Sequence, residues 1–280
     1  MKLKAVQNIF HEELDAIYSK EEVDSFFFIL IDFYYKVSRM ELALNPKYEV
    51  EEAHTILKAL QDLKRQKPIQ YITGETVFYG LPFKVTEDVL IPRPETEELV
   101  EWVIKHIHSN NQIRILDIGT GSGCIAISIA KYLPNAMVYA LDVSGKALKI
   151  AEENAQRNEV DIKFFEEDIL KIESINDLKF DIIVSNPPYV RELEKELMEP
   201  NVLENEPHLA LFVKDNNPLL FYEAISKFAV NNLSKKGLLF FEINEYLGQD
   251  MMALMKTYFS NIELKQDIFK KDRMIKGVLY

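Results

Sequence analysis

Asn186-Pro187-Pro188-Tyr189 directly follows the apolar run Asp181-Ile182-Ile183-Val184-Ser185. Proline fixes φ and has no N–H, so two in succession hold a loop rigid and leave its carbonyls as pure acceptors. The Asn186 side-chain oxygen and the Pro187 carbonyl can then hold both hydrogens of a planar –NH2 group, while Tyr189 stacks on the flat amide or base that carries it. Such a nitrogen is a poor nucleophile because its lone pair is delocalised. Two acceptors favour pyramidalisation and aim the lone pair at an electrophile. Positioning of this kind contributes up to about 7–11 kcal/mol and needs no general base before transfer. The plain alternative is a rigid turn with no chemical role.

A second motif, Ile115-Leu116-Asp117-Ile118-Gly119-Thr120-Gly121-Ser122-Gly123, is an apolar strand running into a glycine-rich turn. Glycines serve where the backbone bends sharply and lies against a ligand, so a nucleotide-like cofactor is implied. The dinucleotide pattern also fits Gly121, Gly123 and Ala126 with Asp142 further on, so the motif alone leaves the cofactor open. Asp142 ends the run Tyr139-Ala140-Leu141-Asp142, where a carboxylate lies beside such a turn and can accept both ribose hydroxyls. Each charge-assisted bond is worth about 1.5–3 kcal/mol. Asp168, in Glu166-Glu167-Asp168-Ile169, occupies the corresponding place for an adenine amino group.

These residues need a parallel sheet to bring them to one edge. Strands are expected at Ile113–Ile118, Met137–Val143, Ile162–Phe165, Asp181–Ser185, Gly237–Ile243, Ile262–Ile268 and Met274–Tyr280. Helical stretches at Gly123–Tyr132, Gly145–Asn158 and Leu219–Leu233 alternate with the first five, as a sheet covered on both faces requires. The link at 269–273 is too short for a crossover, so the last two strands pair antiparallel. A further helix is expected after Thr96-Glu97-Glu98, through His108. Upstream, Ile9, Leu14, Ile17, then Val23, Phe27, Leu30, Ile31, Tyr34, then Ile56, Leu57, Leu60, Leu63 recur at helical spacing and predict a bundle of three or four helices. Short β-type runs punctuated by Gly74, Gly80 and Pro82 follow from Ile69 to Ile91 and read as a hairpin between two domains.

Composition narrows the class. The chain has 280 residues, 48% of them hydrophobic and 11% aromatic, which excludes a disordered or collagen-like protein. A net charge of −12 weighs against a protein that tracks nucleic-acid backbone, so no stable nucleic-acid partner is expected. The single cysteine, Cys124, cannot form an internal disulfide, and acidic residues at 12, 13 and 15 interrupt any signal-peptide pattern. The longest early apolar run, Phe26 to Ile31, stops at Asp32. A cytoplasmic protein without a membrane span is expected, and nothing in the chain asks for more than a monomer. His11, His54, His106, His108 and His208 show no metal-ligand spacing, so no metal is expected.

The glycine turn, the acid at 142 and Asn186-Pro187-Pro188-Tyr189 together resemble the S-adenosylmethionine-dependent class I methyltransferases that modify planar exocyclic nitrogens of DNA adenine, rRNA guanine or protein glutamine. Pro68-Ile69-Gln70-Tyr71-Ile72-Thr73-Gly74, Phe78-Tyr79-Gly80-Leu81-Pro82-Phe83 and above all Leu90-Ile91-Pro92-Arg93-Pro94-Glu95-Thr96-Glu97 resemble the peptide chain release factor glutamine methyltransferases, from about residue 60 to the end. The resemblance implies a Rossmann-like α/β fold with a seven-stranded sheet whose last strand is antiparallel. It further implies a small N-terminal helical substrate-recognition domain at 1–68, a linking β-hairpin at 69–92 and a methyltransferase domain at 93–280. S-adenosyl-L-methionine would lie along Gly119, Thr120, Gly121, Ser122 and Gly123, with Asp142 on its ribose, Asp168 and Ile169 about the adenine, and Asn186 nearby. Asn186, Pro187, Pro188 and Tyr189 would be catalytic and would hold the glutamine of a Gly-Gly-Gln loop in a release factor. Phe78 would stand at the site mouth and Arg93 in the substrate wall between the domains. The product would be S-adenosyl-L-homocysteine. The alternatives are an exocyclic-amine methyltransferase acting on DNA adenine or an RNA base, and a non-catalytic module that binds release factors.

Two departures from the family pattern stand out. Phe212-Val213-Lys214-Asp215-Asn216-Asn217 replaces the Gly-Gly pair usual after Glu206–Leu211, which leaves that loop's conformation open. Gln66 or Lys67 replaces a glycine before Pro68, with little consequence expected.

Overall fold

The computed structural model describes residues 1–107 and 112–280. In chain order its elements are α1 (Leu3–Leu14), α2 (Lys20–Tyr35), α3 (Arg39–Leu44), α4 (His54–Lys64), α5 (Ile69–Thr73), β1 (Glu75–Phe78), β2 (Leu81–Lys84), α6 (Pro94–Lys105), β3 (Arg114–Ile118), α7 (Cys124–Tyr132), β4 (Met137–Asp142) and α8 (Gly145–Arg157). There follow β5 (Ile162–Glu166), β6 (Phe180–Ser185), β7 (Val190–Arg191), a 3-10 turn (Glu192–Leu197), α9 (Pro200–Asn205), α10 (His208–Leu211), β8 (Phe212–Val213), α11 (Leu220–Asn232), β9 (Leu233–Glu242), α12 (Gly248–Lys256), β10 (Phe259–Gln266) and β11 (Asp272–Leu279). The chain forms two compact units, Met1–Gly74 with Glu199–Asn205, and Glu75–Met198 with Glu206–Tyr280. His108 lies outside the described residues, and the helix expected to reach it ends at Lys105. Among the described residues no helix is long and apolar enough to cross a membrane.

The first unit is a helical bundle. Leu3, Val6, Phe10 and Leu14 of α1 meet Val23, Phe27, Leu30 and Ile31 of α2 and Ile56, Leu60 and Leu63 of α4, and Phe10 and Phe27 pack edge to face at 5.6 Å. Each such side chain, fully buried, contributes about 1.5–3 kcal/mol. The α1 stripe differs in phase from the one read in the sequence: Ile9 is only partly buried, and Ile17 lies past the helix end and is 39% exposed. Ser38 and Glu41 form a reciprocal capping box that starts α3. The β-type run expected at Tyr71-Ile72 is the helix α5 instead. Pro68 presets the backbone at its start and Gly74, at φ +74°, closes it in the left-handed region. Gln66 is also left-handed, at φ +58°, so the position where a glycine was expected has glycine's conformation.

In the second unit, β1 and β2 pair antiparallel through Tyr79-Gly80, both at positive φ, as a two-residue hairpin of this twist requires. The hairpin is shorter than read in the sequence, and 85–91 is not a strand. The large sheet has the order β10-β11-β9-β6-β3-β4-β5, parallel throughout except β11, which runs antiparallel to both neighbours as expected. Alternate residues serve opposite faces. Ile115, Val138, Ala140, Ile182 and Val184 face one core, while Leu116, Ile118, Tyr139, Leu141 and Ile183 face the other. Both faces are thus dry, which accounts for the continuous apolar strands. The crossover α12, absent from the sequence reading, joins β9 to β10.

Asn154 of α8 ties the hairpin to the turn after β3. Fully buried, it accepts from Lys84 N at 2.6 Å and donates to the carbonyls of Lys84 at 3.0 Å and Ser122 at 2.9 Å. Replacing Asn154 by Ala strands all three backbone groups and is expected to lower unfolding free energy by about 2–4 kcal/mol in urea titrations. Gln66→Gly relieves a left-handed side chain and is expected to raise stability by about 0.5–1 kcal/mol in the same assay.

Candidate active site

The glycine turn, Asp142, Asp168 and the Asn186-Pro187-Pro188-Tyr189 turn each lie at the carboxyl end of a parallel strand. After β3 the chain turns through Gly119, Gly121 and Gly123, at φ +74°, +54° and +81°. Gly119 N and Thr120 N both donate to the Leu141 carbonyl, at 2.9 and 3.0 Å, which fastens the turn to β4. A methyl group at Gly123 would meet Ile127 Cδ1 at 2.8 Å and Ala151 Cβ at 3.1 Å, whereas at Gly119 and Gly121 it would meet nothing within 4 Å. Gly123 lets α7 pack close against α8, and Gly119 and Gly121 leave open space over the backbone. Thr120 and Ser122 are buried, and Thr120 Oγ1 donates to Asp117 Oδ2 at 2.7 Å. These two side chains shape the turn from beneath.

Asp142, at the end of β4, accepts from Gly121 N through Oδ2 and from Ser144 N through Oδ1, both at 2.9 Å. Burial raises its carboxyl above the usual range, and these backbone donors oppose the shift. Each oxygen retains a lone pair for a further donor. Asp168 follows β5. Its carboxylate accepts from Leu170 N at 3.0 Å and pairs with Lys171 Nζ at 2.8 Å, and the Lys171 hydrogen bond holds it below the usual range.

The Asn186-Pro187-Pro188-Tyr189 turn follows β6, whose Ser185 Oγ donates to the Ile118 carbonyl at 2.7 Å. Asn186 Nδ2 donates to Thr96 Oγ1 at 3.3 Å. Thr96 Oγ1 in turn donates to Glu242 Oε2 at 2.7 Å, and the Tyr189 hydroxyl donates to Glu242 Oε1 at 3.2 Å. Glu242 is 1% exposed; burial raises its carboxyl, opposed by Thr96, Arg273 and Tyr189. Among the described residues no donor reaches Asn186 Oδ1 or the Pro187 carbonyl.

A cavity of about 260 Å³ brings Gly119, Gly121, Asp142, Asp168, Ile169, Asn186, Pro187 and Pro188 together. Its wall also includes Leu90, Leu209 and Ala210 from the family-like segments, and Glu87 to Val89, Val143, Phe221 and Ile225, which the sequence did not single out as site residues. The last two lie on α11, where only helical periodicity marks them, and periodicity does not separate a core position from a cavity wall.

Two site expectations change, and a third residue, Arg93, has an added partner. Tyr189 does not line the cavity, because its hydroxyl is drawn to Glu242. Phe78 is 1% exposed and packs edge to face on Phe83 within the core, with ring centroids 6.0 Å apart, so it stands at no site mouth. Arg93 is bonded through Nη2 to Glu206 Oε1 at 2.5 Å, and Glu206 Oε2 accepts from Ile91 N at 3.4 Å. Arg93 thus anchors the segment that carries Leu209 and Ala210 to the cavity. The open question of the 212–217 loop has an answer here, since Phe212-Val213 pairs in parallel with Val190-Arg191 directly after Tyr189. Cys124 is buried at the start of α7, and desolvation pushes its thiol up to about 12. Among the described residues no cluster of three or more His, Cys, Asp or Glu could hold a metal.

The family model "Methyltransferase small domain" matches residues 100–210. Among solved structures, the chain resembles a methyltransferase from Pyrococcus furiosus (TM-score 0.53, 17% identity, 79% of this chain and 98% of that one). It also resembles the T. thermophilus 16S rRNA N2 G1207 methyltransferase in complex with AdoMet and guanosine (TM-score 0.54, 16% identity, 74% and 50%). Fold and strand order therefore define a class I S-adenosylmethionine-dependent methyltransferase fold. Curated relatives are more specific. The release factor glutamine methyltransferase of Flavobacterium psychrophilum is 54% identical over 99% of both chains, that of Bacteroides thetaiotaomicron 47% over 76% of both, and that of Streptococcus pneumoniae 38% over 98% of both. The chain belongs to the release factor glutamine methyltransferase family.

Asp117 beneath the glycine turn is fully buried, and desolvation pushes its carboxyl up to about 7. A raised acid favours the folded state fully while protonated in both states, and that contribution is lost as pH rises from about 3.8 to about 7. The unfolding free energy of the unliganded wild type minus that of Asp117→Asn should therefore fall across this window and level off above it. A difference independent of pH would contradict the assignment.

Proposed function

We propose that this chain transfers a methyl group from S-adenosyl-L-methionine to the side-chain amide nitrogen, N5, of the glutamine in the Gly-Gly-Gln motif of peptide chain release factors, with S-adenosyl-L-homocysteine as product. The observation that carries this reading is the pair of open acceptors, Asn186 Oδ1 and the Pro187 carbonyl, at a cavity that also holds Asp142 and the open backbone of Gly119 and Gly121. Family membership supports it, since the relatives named above are named as release factor glutamine methyltransferases.

The residues present fit the cofactor. Asp142 keeps one acceptor site on each oxygen for a pair of vicinal hydroxyls, and Val143, Ile169, Phe221 and Ile225 offer apolar walls for a flat base. Gly119 and Gly121 would admit the methionine end against bare backbone, over a turn shaped by Thr120, Ser122 and Gly123. Asp168, engaged with Leu170 and Lys171, would stand behind Ile169 as part of the adenine surroundings. When bound, S-adenosyl-L-methionine supplies an electrophilic methyl group.

Asn186 Oδ1 and the Pro187 carbonyl accept the two amide hydrogens and turn the nitrogen lone pair toward that methyl group. Pro188 holds this geometry by fixing φ. Tyr189, tethered to Glu242, braces the loop from behind. The helical unit, whose surface exposes Met40 and Leu44, would hold the body of the release factor. The net charge of −12 and the absence of a recognisable base-reading module disfavour a nucleic-acid substrate.

Mass spectrometry of a release factor incubated with the chain and S-adenosyl-L-methionine, with DNA and bulk tRNA as parallel acceptors, tests the proposal. The expected result is one added CH2 on the Gly-Gly-Gln peptide. Asn186→Ala should lower kcat by about 10²–10³-fold while cofactor affinity by calorimetry changes little. Label in nucleic acid and none in the release factor would contradict the reading, and failure to bind the cofactor at all would leave only a binding module.

A further inference from the structure

Glu242 is conspicuous because a carboxylate buried to 1% exposure needs a strong physical reason to persist. It lies at the carboxyl end of β9, outside the cavity lining, and takes one hydrogen bond on each oxygen, from Thr96 and from Tyr189. Burial raises its carboxyl, and those two donors together with Arg273 oppose that shift. Thr96 is 2% exposed, in the first turn of α6. Having given its single hydroxyl hydrogen to Glu242, Thr96 can offer Asn186 only an acceptor. The Asn186 atom at 3.3 Å must therefore be the –NH2 nitrogen, and Oδ1 is left for the cavity. The orientation of an asparagine amide is a choice between nearly isosteric arrangements, decided by its hydrogen-bond partners. Here the deciding partner is two residues removed.

We propose that Glu242, acting through Thr96, is a positioning residue that fixes the Asn186 amide with its oxygen toward the substrate, and that this polarity makes the site select a glutamine amide over a glutamate carboxylate. The inference rests on the glutamine reading of the preceding subsection. An Asn186 free to rotate would present –NH2 to the cavity part of the time. That arrangement donates to a carboxylate and repels an amide –NH2. The buried chain of Glu242, Thr96 and Asn186 acts as a polarity relay: an acceptor in the core becomes an acceptor in the site. Tyr189, bonded to the other oxygen, holds the carboxylate and the loop in the same register.

The test uses the full chain and its Thr96→Val, Thr96→Ser and Glu242→Gln variants. Four quantities are read: kcat and KM with a release factor, S-adenosyl-L-methionine affinity by calorimetry, and inhibition by a release factor carrying Glu in place of the target Gln. Thr96→Val, close in shape but without the hydroxyl, should lower kcat about 10- to 100-fold, the equivalent of one well-placed hydrogen bond. Cofactor affinity should stay within about twofold. Thr96→Ser should restore most of kcat, and the Glu-bearing factor should inhibit Thr96→Val more strongly than wild type. Glu242→Gln should shift the same quantities in the same direction; if it fails to fold, Thr96→Val decides alone. A Thr96→Val enzyme with wild-type kcat and no gain in inhibition by the Glu-bearing factor would overturn the inference while leaving the glutamine reading intact. Absence of transfer by wild type would overturn that reading, and this inference with it.

Discussion

The arrangement depends on how β3 is locked between its two parallel neighbours at their carboxyl ends. Gly119 N and Thr120 N share the Leu141 carbonyl on the β4 side, and Ser185 Oγ reaches the Ile118 carbonyl on the β6 side. The chain departs from β3 toward β4 through α7, while β6 pairs on the opposite edge. Helices therefore diverge here, and a crevice opens where strand order reverses. Glycine turn, Asp142 and Asn186 are neighbours because their strands are. Residues about twenty to seventy positions apart meet through backbone pairing that both apolar cores enforce.

Two buried carboxylates then tie the surrounding loops to this edge. Glu206 holds Ile91 N and Arg93, and Glu242 holds Thr96 and Tyr189. Buried charges of this kind contribute little net stability, because desolvation offsets much of the attraction. Their contribution is uniqueness. An apolar residue at either place would pack as well and would leave Arg93, Thr96 and Tyr189 without a fixed direction. The parallel pairing of Val190-Arg191 with Phe212-Val213 adds a backbone tie, which holds the segment after Tyr189 beside the one that follows the cavity wall.

Local chemistry made some of this legible in sequence. The glycine turn, Asp142 and the Asn186 loop were readable because each combines a strand end with a residue whose backbone or side chain has one evident use. The antiparallel last pair followed from a link too short to cross over. Other features depend on distant partners. Thr96 and Glu242 look like an ordinary first-turn residue and a strand-end acid until the fold joins them across 146 positions. Phe78 carries a family-like aromatic, yet Phe83 draws it into the core. The α5 segment shows local rules competing: β-prone Tyr71-Ile72 yields to the proline and glycine that bracket it. The crossover α12 begins at a glycine and spans nine residues, too short for periodicity to declare itself.

Cys124 has a practical consequence. It is the chain's single cysteine, and it is sealed under the glycine turn with its thiol pushed up to about 12. At neutral pH almost none of it is thiolate, the form that alkylating reagents and peroxide attack. The native thiol is therefore a poor target for such reagents. A cysteine introduced at any exposed position becomes a unique attachment point for a fluorophore or spin label, without first mutating the native residue.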